Sequence, residues 1–116
     1  FASLLSTDGV YSLFGSSITT LASTLINAKA LITVDTGTMH LATALKTPVL
    51  ALFGPTNPAL TGPYSHEVPT RVLESGVDCH PCVGTPEQKS CSFNRCMSEL
   101  DPEHVFEQYH LLTSSF

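Results

Sequence analysis

The sequence predicts an α/β fold built on a parallel sheet. Two nearly continuous apolar runs, ALITV at 30–34 and PVLALF at 48–53, have the composition of strands covered on both faces. Between them the dozen residues 36–47 form about the shortest crossover that a parallel connection permits. A second helical pattern precedes the first run. The order is therefore strand, helix, strand, helix, strand.

Each element has its own signal. VYSLF at 10–14 reads as a short strand that ends at Gly15. Ser17 is an N-cap for the helix that follows, in which Ile18, Leu21, Ala22, Leu25 and Ile26 recur at helical spacing. Residues 38–46 form the next helix, with Leu41, Ala44 and Leu45 expected on its buried side. After Phe53, GPTNPALTGPYSHEVPT is rich in Pro, Gly, Thr and Asn and reads as a long ordered loop. Residues 70–73 make one more short strand. Residues 78–98 hold all four cysteines. Asp101-Pro102-Glu103 then opens a helix: a cap, a proline at the first helical position, and an acid that suits the helix dipole. Val105, Tyr109 and Leu112 give that helix its apolar stripe.

Composition narrows the function. The chain has 116 residues, 42% apolar and 13% charged, which suits one domain. A formal charge of −5, with only five scattered Lys and Arg, argues against a nucleic-acid surface. No apolar run approaches the roughly 20 residues of a membrane span. The chain opens on FASLLST with neither an initiator Met nor a signal pattern, and so reads as a piece of something longer.

The chemistry concentrates in ITVDTGTMHLATAL, 32–45. Parallel sheets bind ligands outside the carboxyl ends of their strands, and Asp35 sits at such an end. Thr36-Gly37 makes the turn, and Gly37, having no Cβ, lets a ligand approach the backbone. The next helix presents the N–H groups of Gly37, Thr38 and Met39 at its positive end, which suits an anion. Thr38 adds a hydroxyl and His40 a ring N–H. These groups fit a phosphate or diphosphate. A carboxylate repels phosphate, so Asp35 is assigned to a neutral, hydroxylated part of the same ligand. In the alternative, Asp35 merely caps the helix and Thr36-Gly37 merely turns; spacing leaves both open. Gly54-Pro55-Thr56-Asn57 leaves the next strand's carboxyl end and should lie beside the same site, where Thr56 is either a ligand donor or part of a rigid turn.

The string DTGTMHLATALKTPVLALFGPTNP resembles the signature of the bacterial heptosyltransferases, the ADP-heptose:lipopolysaccharide transferases of glycosyltransferase family 9. The match runs through Asp35, Thr36, Gly37, His40, Leu41, Ala42, Ala44, Pro48, Val49, Leu52, Phe53, Gly54, Pro55 and Thr56. The resemblance implies a Rossmann-like sheet: the C-terminal, donor-binding part of a GT-B glycosyltransferase. Residues 1–116 would be a partial domain, with the 78–98 cysteine loop inside it and the N-terminal acceptor domain missing. Asp35 would hold heptose hydroxyls, the amides of Thr36, Gly37 and Thr38 the diphosphate, and His40 the same region. The implied reaction is an inverting, metal-independent transfer of heptose from ADP-heptose to a lipopolysaccharide core acceptor. The family's catalytic base lies in the missing half, so no catalytic residue is assigned here, and no cofactor. A cytoplasmic location follows, with peripheral attachment of the full-length enzyme to the inner membrane left open. Two alternatives stand beside this reading: another GT-B enzyme using a different nucleotide-sugar, and a non-catalytic nucleotide-sugar-binding module.

Cys79-x2-Cys82-x8-Cys91-x4-Cys96 admits structural zinc, a disulfide or reduced thiols. The reading adopted is reduced thiols without metal. His66, His80 and His104 are taken as exposed loop residues, and His110 as a residue of the last helix without a role. The strand at 10–14 lacks an earlier partner within the chain, so self-association through that edge is expected.

Overall fold

The two apolar runs become neighbouring parallel strands. A computed structural model describes residues 9–64, 67–92 and 94–114. It contains α1 (Ile18–Asn27), β1 (Leu31–Val34), α2 (Gly37–Ala44), β2 (Val49–Phe53), α3 (Pro58–Thr61), β3 (Thr70–Glu74), α4 (Pro86–Ser90), α5 (Arg95–Ser98) and α6 (Pro102–Thr113). The sheet has the order β1-β2-β3 and is parallel throughout, with Leu31 opposite Val49 and Val49 opposite Thr70. The α/β class and the parallel sheet are as expected.

Strand alternation divides the core into two faces. Val49, Ala51 and Phe53 point to one side and pack with Leu25 of α1 and with Met39 and Ala42 of α2. Leu50 and Leu52 point to the other side. There α5 packs on β2, and α6 lies across β2 and β3. Arg71, in register with Leu50, donates to Gln108 of α6 at 2.7 Å. The expectation of strands covered on both faces holds for β2 but not for β1. Ile32 and Val34 are 47% and 43% exposed because no helix among the described residues lies over them.

The helix caps explain where the elements begin and end. The Thr20 N–H donates to Ser17 Oγ at 3.2 Å, and the Glu103 N–H to Asp101 Oδ1 at 3.0 Å, so both expected N-caps form. The stripe of α6 is also as expected, with Leu112 buried and Val105 and Tyr109 half-buried. α2 ends earlier than its pattern suggests. Lys46 takes a left-handed φ of 64°, its N–H donates to Thr43 O, and the Thr47 N–H donates to Ala42 O. This is a Schellman closure with lysine where glycine is usual. On this helix Met39 and Ala42 are buried, Leu41 and Leu45 pack half-buried against the same core, and of the expected side only Ala44 is exposed.

Two further expectations fail. Residues 10–14 are not a strand: the Ser16 N–H donates to Leu13 O, Gly15 has φ 78°, and the segment closes into a turn with Phe14 fully exposed. Apolar residues alone do not make a strand, since a strand exists only through its ladder. The 54–70 segment is not loop throughout. Asn57 caps α3, with Pro58 in the first turn. Among the described residues no helix is long and apolar enough to cross a membrane.

Thr47 joins three elements. It is 2% exposed, its backbone closes α2, and its hydroxyl donates to Leu25 O in α1 at 2.7 Å just before β2 begins. Replacing Thr47 with Val keeps the shape and removes this bond. The expected loss is about 1 kcal/mol, read from the urea midpoint at unchanged m-value.

Candidate functional site

β1 stops at Val34, and the chain reaches the helix in two residues. Thr36 occupies the N-cap position, with extended backbone (φ −144°, ψ 168°) and no side-chain capping bond. Its hydroxyl lies 3.4 Å from that of Thr33. Asp35 therefore stands one residue outside the helix and does not cap it. Its carboxylate is engaged elsewhere: the Thr61 hydroxyl donates to Asp35 Oδ2 at 2.8 Å. Thr61 closes α3, on the connection between β2 and β3.

Of the three amides expected at the helix end, the Met39 N–H is already taken by Thr36 O at 3.1 Å, and the Met39 side chain is buried in the core. Gly37 and Thr38 lie in the first turn, where an N–H has no intrahelical acceptor. Gly37 is exposed, and a Cβ placed there would meet nothing within 4 Å. Neither packing nor a positive φ requires glycine at this point. His40, half-buried on the same turn, stacks on Tyr64 with centroids 5.7 Å apart and planes at 16°.

Asp35 and Thr56 share a cleft of about 330 Å³ at the carboxyl ends of β1 and β2. Val34 and Gly54 belong to the same lining, and Asn94 and Met97 close it from the cysteine segment. Thr36, Gly37, Thr38 and His40 flank the cleft along the chain rather than line it. A larger hollow, about 580 Å³, runs along the hydroxyl-rich outer face of α1 and contains none of these residues.

The cysteine segment bears on the site in a way its spacing does not reveal. A Cβ on Gly54 would come within 2.7 Å of Met97 Sδ and 3.4 Å of Cys96 Sγ, so α5 is pressed directly onto the strand end. The Cys82 and Val83 N–H groups both donate to Pro55 O, at 2.8 and 3.1 Å. His80 is no exposed loop residue. Its side chain is 10% exposed, with Nδ1 on Gly54 O and Nε2 2.8 Å from Glu74 Oε1. It ties the segment to the ends of two strands. His104 stands on α6, 3.6 Å from Glu107, and His110 lies edge-on to Phe106; His66 falls outside the described residues. Cys79 and Cys91 are exposed, Cys82 is half-buried and Cys96 is buried, all as free thiols. Among the described residues no three His, Cys, Asp or Glu are grouped to hold a metal. Glu99 raises the affinity of the neighbouring Arg95 guanidinium for its proton by hydrogen bond and charge.

The profile of glycosyltransferase family 9 (heptosyltransferase) matches residues 11–92, from before α1 to beyond α4. The chain belongs to glycosyltransferase family 9. Among family relatives, it is 35% identical to lipopolysaccharide heptosyltransferase 1 of Pseudomonas aeruginosa over 108 residues, covering 79% of this chain and 29% of that protein. It is 36% identical to lipooligosaccharide heptosyltransferase 2 of Campylobacter jejuni over 93 residues, 78% of this chain and 28% of that one. The crystal structure of a family 9 glycosyl transferase from Veillonella parvula superposes with a TM-score of 0.67 at 28% identity, over 83% of this chain and 26% of that one. The family 9 chain thus spans under a third of the length of these relatives, and its parallel sheet is a part of the GT-B fold. The resemblance drawn from the DTG turn and the FGPT turn is correct.

If a ligand phosphate comes close to Gly37, Gly37→Val leaves the melting temperature within about 3 °C of the parent, since the position is open and exposed. It weakens ADP binding about tenfold or more by obstructing the approach. Calorimetry with equal ADP affinity in the folded variant would remove the anion site from the α2 N-terminus.

Proposed function

We propose that this chain is the C-terminal, donor-binding part of a bacterial heptosyltransferase that transfers heptose from ADP-heptose to a lipopolysaccharide core acceptor. The observation that carries the reading is the placement, at the carboxyl ends of β1 and β2, of a carboxylate next to a helix N-terminus. Asp35 precedes the first-turn residues Gly37 and Thr38, and Thr56 lines the same cleft as Asp35. The names of the relatives supply the sugar.

In this reading the amides of Thr36, Gly37 and Thr38 take the diphosphate, with His40 and the hydroxyls of Thr38 and Thr56 as further donors. Thr61 occupies Asp35 Oδ2, and Oδ1 accepts a heptose hydroxyl. The acceptor hydroxyl attacks the anomeric carbon from the face opposite ADP, and the bond to the diphosphate oxygen breaks with inversion. Negative charge grows on the departing ADP, where preorganised N–H dipoles at the helix end stabilise it most in the transition state. These donors perform the task without a metal ion. The base that accepts the acceptor's proton belongs to an acceptor domain outside this chain, so no residue of the chain is assigned to catalysis. Residues 1–116 form a partial domain in which 78–98 is a wall of the cleft. The enzyme works in the cytoplasm, beside the inner membrane where its acceptor is built.

Titration with ADP, UDP and GDP tests the donor class. Preference for ADP is expected, and preference for another base would point to a different nucleotide-sugar. Asp35→Ala separates the two halves of the site in the full-length transferase. Transfer should fall at least about thirtyfold while ADP affinity stays within about twofold, because the carboxylate serves the sugar. A parallel fall in both would make Asp35 a structural residue.

The isolated chain is expected to lack transferase activity and to associate through the outer edge of β1, where no further strand pairs among the described residues and Ile32 and Val34 are exposed. This places the edge at β1 rather than at 10–14. Light scattering at micromolar concentration decides it, and a monodisperse monomer would count against it.

A further inference from the structure

The connection from β2 to β3 carries a residue that no motif marks. Thr61 reaches Asp35 across 26 positions of sequence, and its hydroxyl donates to Oδ2 at 2.8 Å. The Thr61 hydroxyl oxygen also lies 3.3 Å from Asn57 O. A hydroxyl has one proton, and the shorter bond, to a carboxylate, is charge-assisted and the stronger of the two.

The local structure is organised to keep that hydroxyl in place. The Ala59 N–H donates to Asn57 Oδ1 at 3.0 Å, and Pro58 stands in the first turn with its φ already set. The Gly62 N–H closes the turn on Pro58 O at 2.8 Å. A Cβ on residue 62 would come 2.3 Å from that same oxygen, so any other residue there would force the turn open. Three residues past Thr61, Tyr64 stacks on His40. One short arm thus touches two of the residues assigned to the donor.

We propose that Thr61 is a positioning residue of the donor site. It holds Asp35 Oδ2, fixes the carboxylate's rotamer, and so leaves Oδ1 as the oxygen presented to a hydroxyl of the bound nucleotide-sugar. Without it, a half-buried aspartate at the cleft has more than one rotamer open to it and meets the sugar in only some of them. The inference rests on the role given to Asp35 above. It adds that sugar recognition depends on a side chain contributed by the next connection of the sheet.

The test uses the full-length transferase with Thr61→Val, which keeps the shape and removes the donor, and Thr61→Ser, which keeps the donor. Affinity for ADP-heptose without acceptor and affinity for plain ADP are measured by calorimetry, beside the melting temperature. Thr61→Val should weaken ADP-heptose binding about tenfold and ADP binding less than about twofold, with Thr61→Ser close to the parent. In an Asp35→Ala background Thr61→Val should have no further effect on ADP-heptose, since nothing is left to position. Equal losses in both backgrounds, or a Thr61→Ser variant as weak as Thr61→Val, would overturn the proposal. If Asp35→Ala itself leaves ADP-heptose binding unchanged, the role of Asp35 fails and takes the proposal with it. If Asp35→Ala weakens binding and Thr61→Val does not, only the positioning role is lost.

Discussion

The parallel pairing of β1 with β2 is the constraint on which the rest depends. Two parallel strands cannot be joined by a hairpin, so the chain must travel back the length of the sheet before β2 begins. α2 has eight residues and spans about 12 Å, which leaves almost no slack at either end. The helix must therefore start at once where β1 stops, with Thr36 as its cap. It must also stop abruptly before β2, with Lys46 in a conformation that lysine rarely adopts. Everything assigned to the ligand is a by-product of that tight return. The first-turn amides lie beside Asp35 because there is no room for a longer turn between strand and helix. The FGPT turn lies beside both because β2 runs in the same direction as β1.

Much of this was legible in the residues. The apolar runs at 30–34 and 48–53 were legible as parallel strands, although only β2 is covered on both faces, and the helix between them was bounded by Gly37 and by the spacing itself. Ser17 and Asp101 were caps with a mechanism, and both accept the bonds that their position promises. The DTG and FGPT turns carried the family resemblance, and the family profile matches across both. What stayed hidden was contact over long sequence distance. Nothing in PALTG says that the threonine reaches back to Asp35. Nothing in the cysteine spacing says that Met97 will lie against Gly54, or that His80 will be buried between a carbonyl and Glu74. Such partners are set by how loops fold over strand ends, and loops carry no periodicity to read. The misjudged strand at 10–14 has a related cause, since a strand needs a neighbour that its own residues cannot declare.

The cysteine segment changes its meaning once placed. As a sequence it admitted zinc, a disulfide or reduced thiols, the last being the reading adopted. As a structure it is a wall, with two backbone donors on Pro55 O, a histidine on Gly54 O, and α5 on the strand end. Its thiols are distributed from buried to exposed rather than gathered at a point. The segment thus confines the cleft and adds Asn94 to the polar groups, Asp35 and Thr56, that come from the two strand ends.

That attachment also sets how the protein comes apart locally. The wall has few buried side chains, Val77 and Cys96 among them, whereas the helix end of α2 is anchored by Met39, Ala42 and the inner strand. Opening fluctuations follow local burial, so the amides of 77–98 exchange with solvent well before those of β2. The two halves of the cleft therefore have different lifetimes. The strand-end half persists through fluctuations that release the wall.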